Sequence, residues 1–168
     1  MSWKKGNKKD GRHYWLTPPD LYAQLLAEFN FDYDPCPYPR PPGYNGITAE
    51  WGLRNYVNPP FGTTSENGVK YGPLAWVRKC ILEWQKGKLV VFIFSHYQWE
   101  ILLGSTLCQE SIRDLGNVRW CAIEDGKPGK GAGPTGLYIF RPMVPLITCE
   151  PTPVLAGHIE FNQLSLNL

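Results

Sequence analysis

Four consecutive residues carry the clearest chemical signal in the chain: Asn58, Pro59, Pro60 and Phe61. An Asn side-chain oxygen and the carbonyl of the following proline can together accept both hydrogens of an exocyclic amine. Such an amine is a poor nucleophile while its lone pair is delocalised into a ring. Accepting both hydrogens favours a pyramidal nitrogen whose lone pair points at an electrophile. Catalysis then comes from positioning and electrostatics, without a strong base. The paired prolines stiffen the turn and remove a competing backbone N–H. Phe61 offers a flat ring on which a base taken out of its stack can lie. The plain alternative is an Asn-Pro turn with no chemistry.

These residues need elements to position them. Asn55-Tyr56-Val57 reads as a brief buried strand, which sets the motif at a strand's carboxyl end, where open α/β sheets bind ligands. Thr17-Pro18-Pro19-Asp20 reads as a helix start, with Thr17 as cap, Pro18 in the first helical position and Asp20 as the capping-box acid. Leu21, Tyr22, Leu25, Leu26 and Phe29 follow at helical spacing. Phe31 to Asp34 alternates apolar and acidic residues as a short extended segment. Alternation sets Asp32 and Asp34 on one face, as one ribose-binding acid and one solvated acid. Residues 35–46 are a Pro/Gly loop, and Gly62 to Gly72 is a small polar connection that orders on a ligand or simply links elements.

Pro73 to Lys86 predicts a second helix with Leu74, Val77, Ile81 and Trp84 on one side and Gly87 as its stop. Lys88 to Phe94 is a continuous apolar run, as in a central strand covered on both faces. A further helix is expected over 98–107, after His96, which either faces the pocket or makes a structural hydrogen bond. Val118–Ile123 and Gly136–Arg141 read as an antiparallel hairpin around a Gly/Lys-rich loop. The order predicts an α/β fold whose sheet is mostly parallel with an antiparallel C-terminal hairpin. Residues 1–12 form a basic flexible N-terminus, 13–141 the domain, and 142–168 a Pro-interrupted extension that wraps the domain or mediates self-association.

The 168 residues suit one domain, and a hydrophobic fraction of 43% excludes wholesale disorder. The longest apolar run is far too short to cross a bilayer, and no apolar segment follows the N-terminal lysines, so a cytoplasmic protein without signal peptide is expected. A net charge of +2 permits nucleic-acid contact without arguing for it. Lys4, Lys5, Lys8, Lys9 and Arg12 form a solvated terminus or a phosphate-seeking arm. Lys127 and Lys130, set among glycines, form a phosphate clamp or a solvated hairpin tip. The five cysteines and three histidines are dispersed with no zinc spacing, so no metal is expected and the thiols suit a reducing compartment.

Trp15-x-Thr17-Pro18, the stretch Phe29 to Pro35, Asn58-Pro59-Pro60-Phe61, the apolar Leu89–Phe94 run and Gly133-Pro134-Thr135-Gly136 before Leu137-Tyr138-Ile139-Phe140 occur in that order. Together they resemble the small phage-type DNA N-6-adenine methyltransferases (Dam), over residues 13–141. The resemblance implies a reduced Rossmann-like methyltransferase sheet, S-adenosylmethionine as donor and a flipped adenine of double-stranded DNA as acceptor. It implies that Asn58 and Pro59 hold the amino group and Phe61 stacks on the base, with Pro60 completing the catalytic motif. Asp34-Pro35-Cys36 matches the start of the family's cofactor motif. Trp15, Thr17 and Pro18 match the element that lies against the cofactor's methionine end in related enzymes.

The chain departs from the family pattern after Cys36, where Tyr38-Pro39-Arg40-Pro41-Pro42 replaces a Gly-x-Gly turn. The segment from Asp34 to Asn58 is also too short for the usual intervening strand–helix units. Two rival readings follow: a methyltransferase acting on RNA or protein glutamine, or a non-enzymatic DNA-binding phage protein with a degenerate methyltransferase fold. With no separate recognition domain, either a short, loosely defined target or a homodimer is expected.

Overall fold

The computed structural model describes residues 14–66, 68–94, 111–123, 125–129 and 133–142. The expected helix over 98–107, His96, Lys130 and the segments 1–12 and 143–168 lie outside the described residues.

The first helix, α1 (Pro19–Phe29), starts from an extended Pro18 and carries a proline in its first turn, where a missing N–H breaks no helical bond. Thr17 makes no capping bond, contrary to the expectation. The fixed φ of Pro18 and Pro19 sets the start, and the Thr17 hydroxyl turns toward Tyr56 instead. Asn30 closes the helix in the left-handed region, its N–H donating to the Leu26 carbonyl.

Then come β1 (Arg54–Val57), β2 (Thr64–Glu66), β3 (Val69–Tyr71), α2 (Pro73–Gln85), β4 (Leu89–Phe94), β5 (Ile112–Asn117) and β6 (Pro134–Phe140). The main sheet has the order β1-β4-β6-β5. β1 pairs parallel with β4, whereas β6 is antiparallel to both β4 and β5. β1, β4 and β5 therefore run in one direction and β6 runs back between β4 and β5. The sheet is α/β and mixed, with one parallel pair, rather than mostly parallel, because the reversed strand inserts instead of lying at the edge. The expected extended segment at 31–34 contributes a single parallel bridge, Tyr33 to Asn55, on the outer side of β1.

Side-chain alternation sorts the sheet into two cores. On one face Val90, Phe92 and Phe94 of β4 join Tyr138 and Phe140 of β6 under Trp76, Val77 and Cys80 of α2. On the other, Val91, Ile93, Leu137 and Ile139 pack with Leu25 and Phe29 of α1. A helix on each face explains why the β4 run is apolar at every position. Helix α2 is rotated from the expected face: Leu74 is exposed, and Trp76, Val77, Cys80 and Glu83 are buried. Glu83 is tolerated inside because Lys79, Lys86 and Lys88 donate to its carboxylate at 2.7, 2.8 and 2.6 Å. Burial alone would raise its carboxyl, but the three lysines outweigh this and hold it at about 2.

Two further expectations are corrected. The hairpin partner of β6 is Ile112–Asn117, not 118–123; β5 lies at the sheet edge, where one-sided exposure admits Arg113, Asp114 and Asn117. The connection 62–72 holds an antiparallel hairpin, β2–β3, with Gly68 at φ 77 in its turn. Among the described residues no helix is long and apolar enough to cross a membrane.

Candidate active site

β1 ends at the fully buried Val57, and the chain leaves the sheet at Asn58. Both hydrogens of the Asn58 amide are engaged: Nδ2 donates to the Trp15 carbonyl at 2.7 Å and to Thr17 Oγ1 at 3.2 Å. The Trp15 carbonyl can only accept, which fixes the amide nitrogen toward it. Asn58 Oδ1 is buried and meets no hydrogen-bond partner among the described residues. A buried acceptor without a partner is costly, of order 1–3 kcal/mol, so such atoms mark places where a missing donor belongs. Asn55 shows the same pattern, with Nδ2 on Gly52 and Leu89 carbonyls and Oδ1 unpaired. Asn55, however, is sealed inside the sheet, whereas Asn58 is half-buried beyond the strand end.

Pro59 and Pro60 are buried and Phe61 is half-buried. The Phe61 ring stands edge-on to Phe94 at 5.2 Å and to Trp120 at 4.9 Å between centroids. Phe94 closes β4 and Trp120 follows β5, so the carboxyl ends of the three co-directional strands converge on Phe61. The ring is therefore a packed member of both cores, and its free face is narrower than an open platform. Trp120 is 2% exposed, and its Nε1 is also buried with no hydrogen-bond partner among the described residues.

The Trp15–Thr17 segment is held over this corner. Leu16 and Cys121 exchange backbone hydrogen bonds at 2.9 and 2.8 Å. The next turn returns at Gly129, whose N–H donates to the Trp120 carbonyl at 2.7 Å and whose Cβ position lies 3.4 Å from the Trp15 ring. Lys127 sits on that turn with its side chain 80% exposed and 3.2 Å from Asp125. Thr17 Oγ1 and the buried Tyr56 hydroxyl share a hydrogen bond, which ties the segment to β1. Pro18 leads directly from this segment into α1.

Asp34 follows Tyr33, next to the bridge to β1, and accepts the Cys36 N–H at 2.7 Å. Burial raises its carboxyl to about 6, opposed by that backbone hydrogen bond. Its field reaches Tyr22 and Tyr56, whose hydroxyls are raised by burial first and by Asp34 as well. Tyr56 links the two regions: its N–H donates to the carbonyl of Tyr33, the neighbour of Asp34, at 2.9 Å, and its hydroxyl meets Thr17, which holds Asn58. Asp32 is exposed, as expected of the solvated acid of the pair, and its carboxylate accepts the N–H groups of Leu53 and Arg54 at 3.3 and 2.9 Å, which fixes the start of β1.

Beside Asp34 a narrow cleft is lined by Tyr14, Pro35, Cys36, Arg40, Tyr71 and Trp76. Gly46 is obligatory there, since a Cβ would meet the Pro35 carbonyl oxygen at 1.9 Å. Trp76 Nε1 is buried with no hydrogen-bond partner among the described residues, and burial raises the Cys36 thiol. Of the residues expected to hold a cofactor, Pro35 and Cys36 line this cleft and Asp34 precedes them in the chain. Trp15, Thr17 and Pro18 lie instead on the Asn58 side.

Tyr56, Phe94, Trp76 and Trp120 take part in these sites without having been singled out by sequence. Their signal was only that of apolar strand and helix positions. Among the described residues no group of three His, Cys, Asp or Glu side chains is arranged to hold a metal ion. No family model, curated protein or solved structure matches the chain.

Proposed function

We propose that the chain is an S-adenosylmethionine-dependent methyltransferase acting on the 6-amino group of adenine in double-stranded DNA. The observation that carries this reading is the orientation of Asn58: both amide hydrogens are occupied inside the protein, and Oδ1 is left as a buried acceptor. An exocyclic amine is the donor that this oxygen lacks. Support also comes from three co-directional strands converging at Phe61, beyond their carboxyl ends, the place where open α/β sheets bind ligands.

In this mechanism Asn58 Oδ1 accepts one amine hydrogen and the Pro59 carbonyl the other, which turns the nitrogen lone pair toward the donor. Pro60 keeps the carbonyl aimed, and Phe61 bounds the base. S-adenosylmethionine would supply an electrophilic methyl group on sulfur: the N–C bond would form as the C–S bond breaks, the neutral thioether would leave, and one amine hydrogen would pass to solvent as a proton. Asp34 would hold the donor's cationic or hydroxylated part. The cleft beside it is narrow and is lined by Arg40 of the 37–43 loop and by Thr64 and Tyr71 of the β2–β3 hairpin. Lys127, on its exposed turn, contacts DNA phosphate. The function implies a cytoplasmic protein and, for target selection, a short site or a homodimer.

Expression in cells lacking adenine methylation, followed by enzymatic digestion of their DNA and mass analysis of nucleosides, tests the reading. N-6-methyl-2′-deoxyadenosine should appear with the native chain and vanish with Asn58→Ala. Its absence with the native chain would contradict the proposal. A second reading, a DNA-binding protein without a donor site, is favoured by the proline-rich 37–42 loop and the narrowness of the cleft. Calorimetric titration of S-adenosylmethionine in the presence of DNA separates the two, since only the methyltransferase gives binding heat.

A further inference from the structure

We infer that Thr17 is a positioning residue for the acceptor amine, acting through Asn58, rather than a donor-binding residue. The inference rests on the methyltransferase reading and adds to it the hold that Tyr56 has on the Thr17 hydroxyl. Thr17 Oγ1 takes the second amide hydrogen of Asn58 at 3.2 Å, while the first is held by the Trp15 carbonyl at 2.7 Å. The Thr17 hydroxyl is itself held by Tyr56, a residue only 3% exposed on β1. A single hydrogen bond to Trp15 would leave the amide free to swing about the side-chain torsions. Two acceptors in fixed places leave it one orientation, and that orientation aims Oδ1. The backbone around Thr17 is rigid for independent reasons: Leu16 is paired to Cys121 on one side and Pro18-Pro19 opens α1 on the other.

Thr17→Val keeps the shape and removes the hydroxyl; Thr17→Ser keeps the hydroxyl. With methyl transfer to duplex DNA as the assay, Thr17→Val should lower kcat by about 10-fold or more, with KM for S-adenosylmethionine within about two-fold, and Thr17→Ser should recover most of kcat. Tyr56→Phe should fall between them. A readout independent of turnover is exchange of the Asn58 side-chain amide hydrogens, followed by NMR on the unliganded protein. They should be protected in the native chain and in Thr17→Ser, and exchange faster in Thr17→Val.

Unchanged kcat in Thr17→Val overturns the inference while leaving the methyltransferase reading intact. So does a raised KM for the donor with kcat unchanged, which would make Thr17 a donor contact. Equal losses in Thr17→Val and Thr17→Ser with matching drops in melting temperature also overturn it, as a structural role only. If the native chain transfers no methyl to DNA, RNA or protein, the reading beneath it fails, even where amide protection still depends on Thr17.

Discussion

Asn58 and Trp15, far apart in sequence, meet through one hydrogen bond of 2.7 Å from a side-chain amide to a backbone carbonyl. The bond joins the exit of β1 to the segment that precedes α1, and it decides which end of the amide faces outward. A backbone carbonyl offers no hydrogen, so the nitrogen must face it and the oxygen must turn away. The candidate chemistry of the Asn-Pro-Pro-Phe corner depends on that choice.

Phe61 bridges the two cores, so its substitutions should separate packing from contact with the base. Phe61→Ala removes the edge-on contacts to Phe94 and Trp120 and should cost about 2–3 kcal/mol in stability. It should also raise KM for DNA far more than Phe61→Trp, which keeps a large ring. Steady-state kinetics beside urea unfolding measures both. Equal KM values for the two variants would contradict a role in holding the base.

Glu83 is fastened electrostatically by Lys79, Lys86 and Lys88. Its carboxyl is held at about 2 against an ordinary 4.5, so the stability it contributes is present above pH 4.5 and is lost as pH falls through about 2. Glu83→Ala leaves Lys79 and Lys88 half-buried without their carboxylate and should cost about 3 kcal/mol at pH 7. Urea unfolding of both proteins at pH 7 and near pH 2 checks this. The difference should shrink at the lower pH; a constant difference would show that packing alone is involved.

Asp34 should behave in the opposite sense. Burial lifts its carboxyl from 3.8 to about 6, so the folded state favours the protonated acid. The associated stability is full below pH 3.8 and is lost as pH rises through about 6. Asp34→Asn keeps the acceptor for the Cys36 N–H and carries no charge. It should stabilise the fold at pH 7 by at most about 3 kcal/mol and change little near pH 3.5, while weakening donor binding. Parallel denaturation curves at the two pH values measure the effect. Equal gains at both would contradict the burial argument.

Elements with strong local rules were legible in the sequence. The helices at Pro19–Phe29 and Pro73–Gln85 announced themselves by N-terminal prolines and a 3.6-residue apolar rhythm, and β4 by its unbroken apolar run. The edge strand β5 was not legible, because a strand exposed on one side mixes Arg113, Asp114 and Gly116 with its apolar residues. The neighbouring Val118–Ile123 looked more strand-like but serves as a cover at the sheet's carboxyl ends. The β2–β3 hairpin carried its signal in Asn67-Gly68 between short polar strands, easily overlooked in a Gly-rich connection.

At the site, the Asn-Pro-Pro-Phe corner could be read directly as chemistry. What could not be read was tertiary: the turn of Thr17 from helix cap to Asn58 partner, the rings of Phe94 and Trp120 around Phe61, and the use of Asp32 to fix β1. Each depends on residues that only the folded sheet brings together.

The most direct test of the central claim is transfer of a tritiated methyl group from S-adenosylmethionine to two duplexes, one containing adenine and one built only from guanine and cytosine. Label should enter the adenine-containing duplex alone, and Asn58→Ala should abolish it while still binding the donor. Equal labelling of both duplexes would contradict adenine as the acceptor, and native-level transfer by Asn58→Ala would contradict the role assigned to the unpaired oxygen of Asn58.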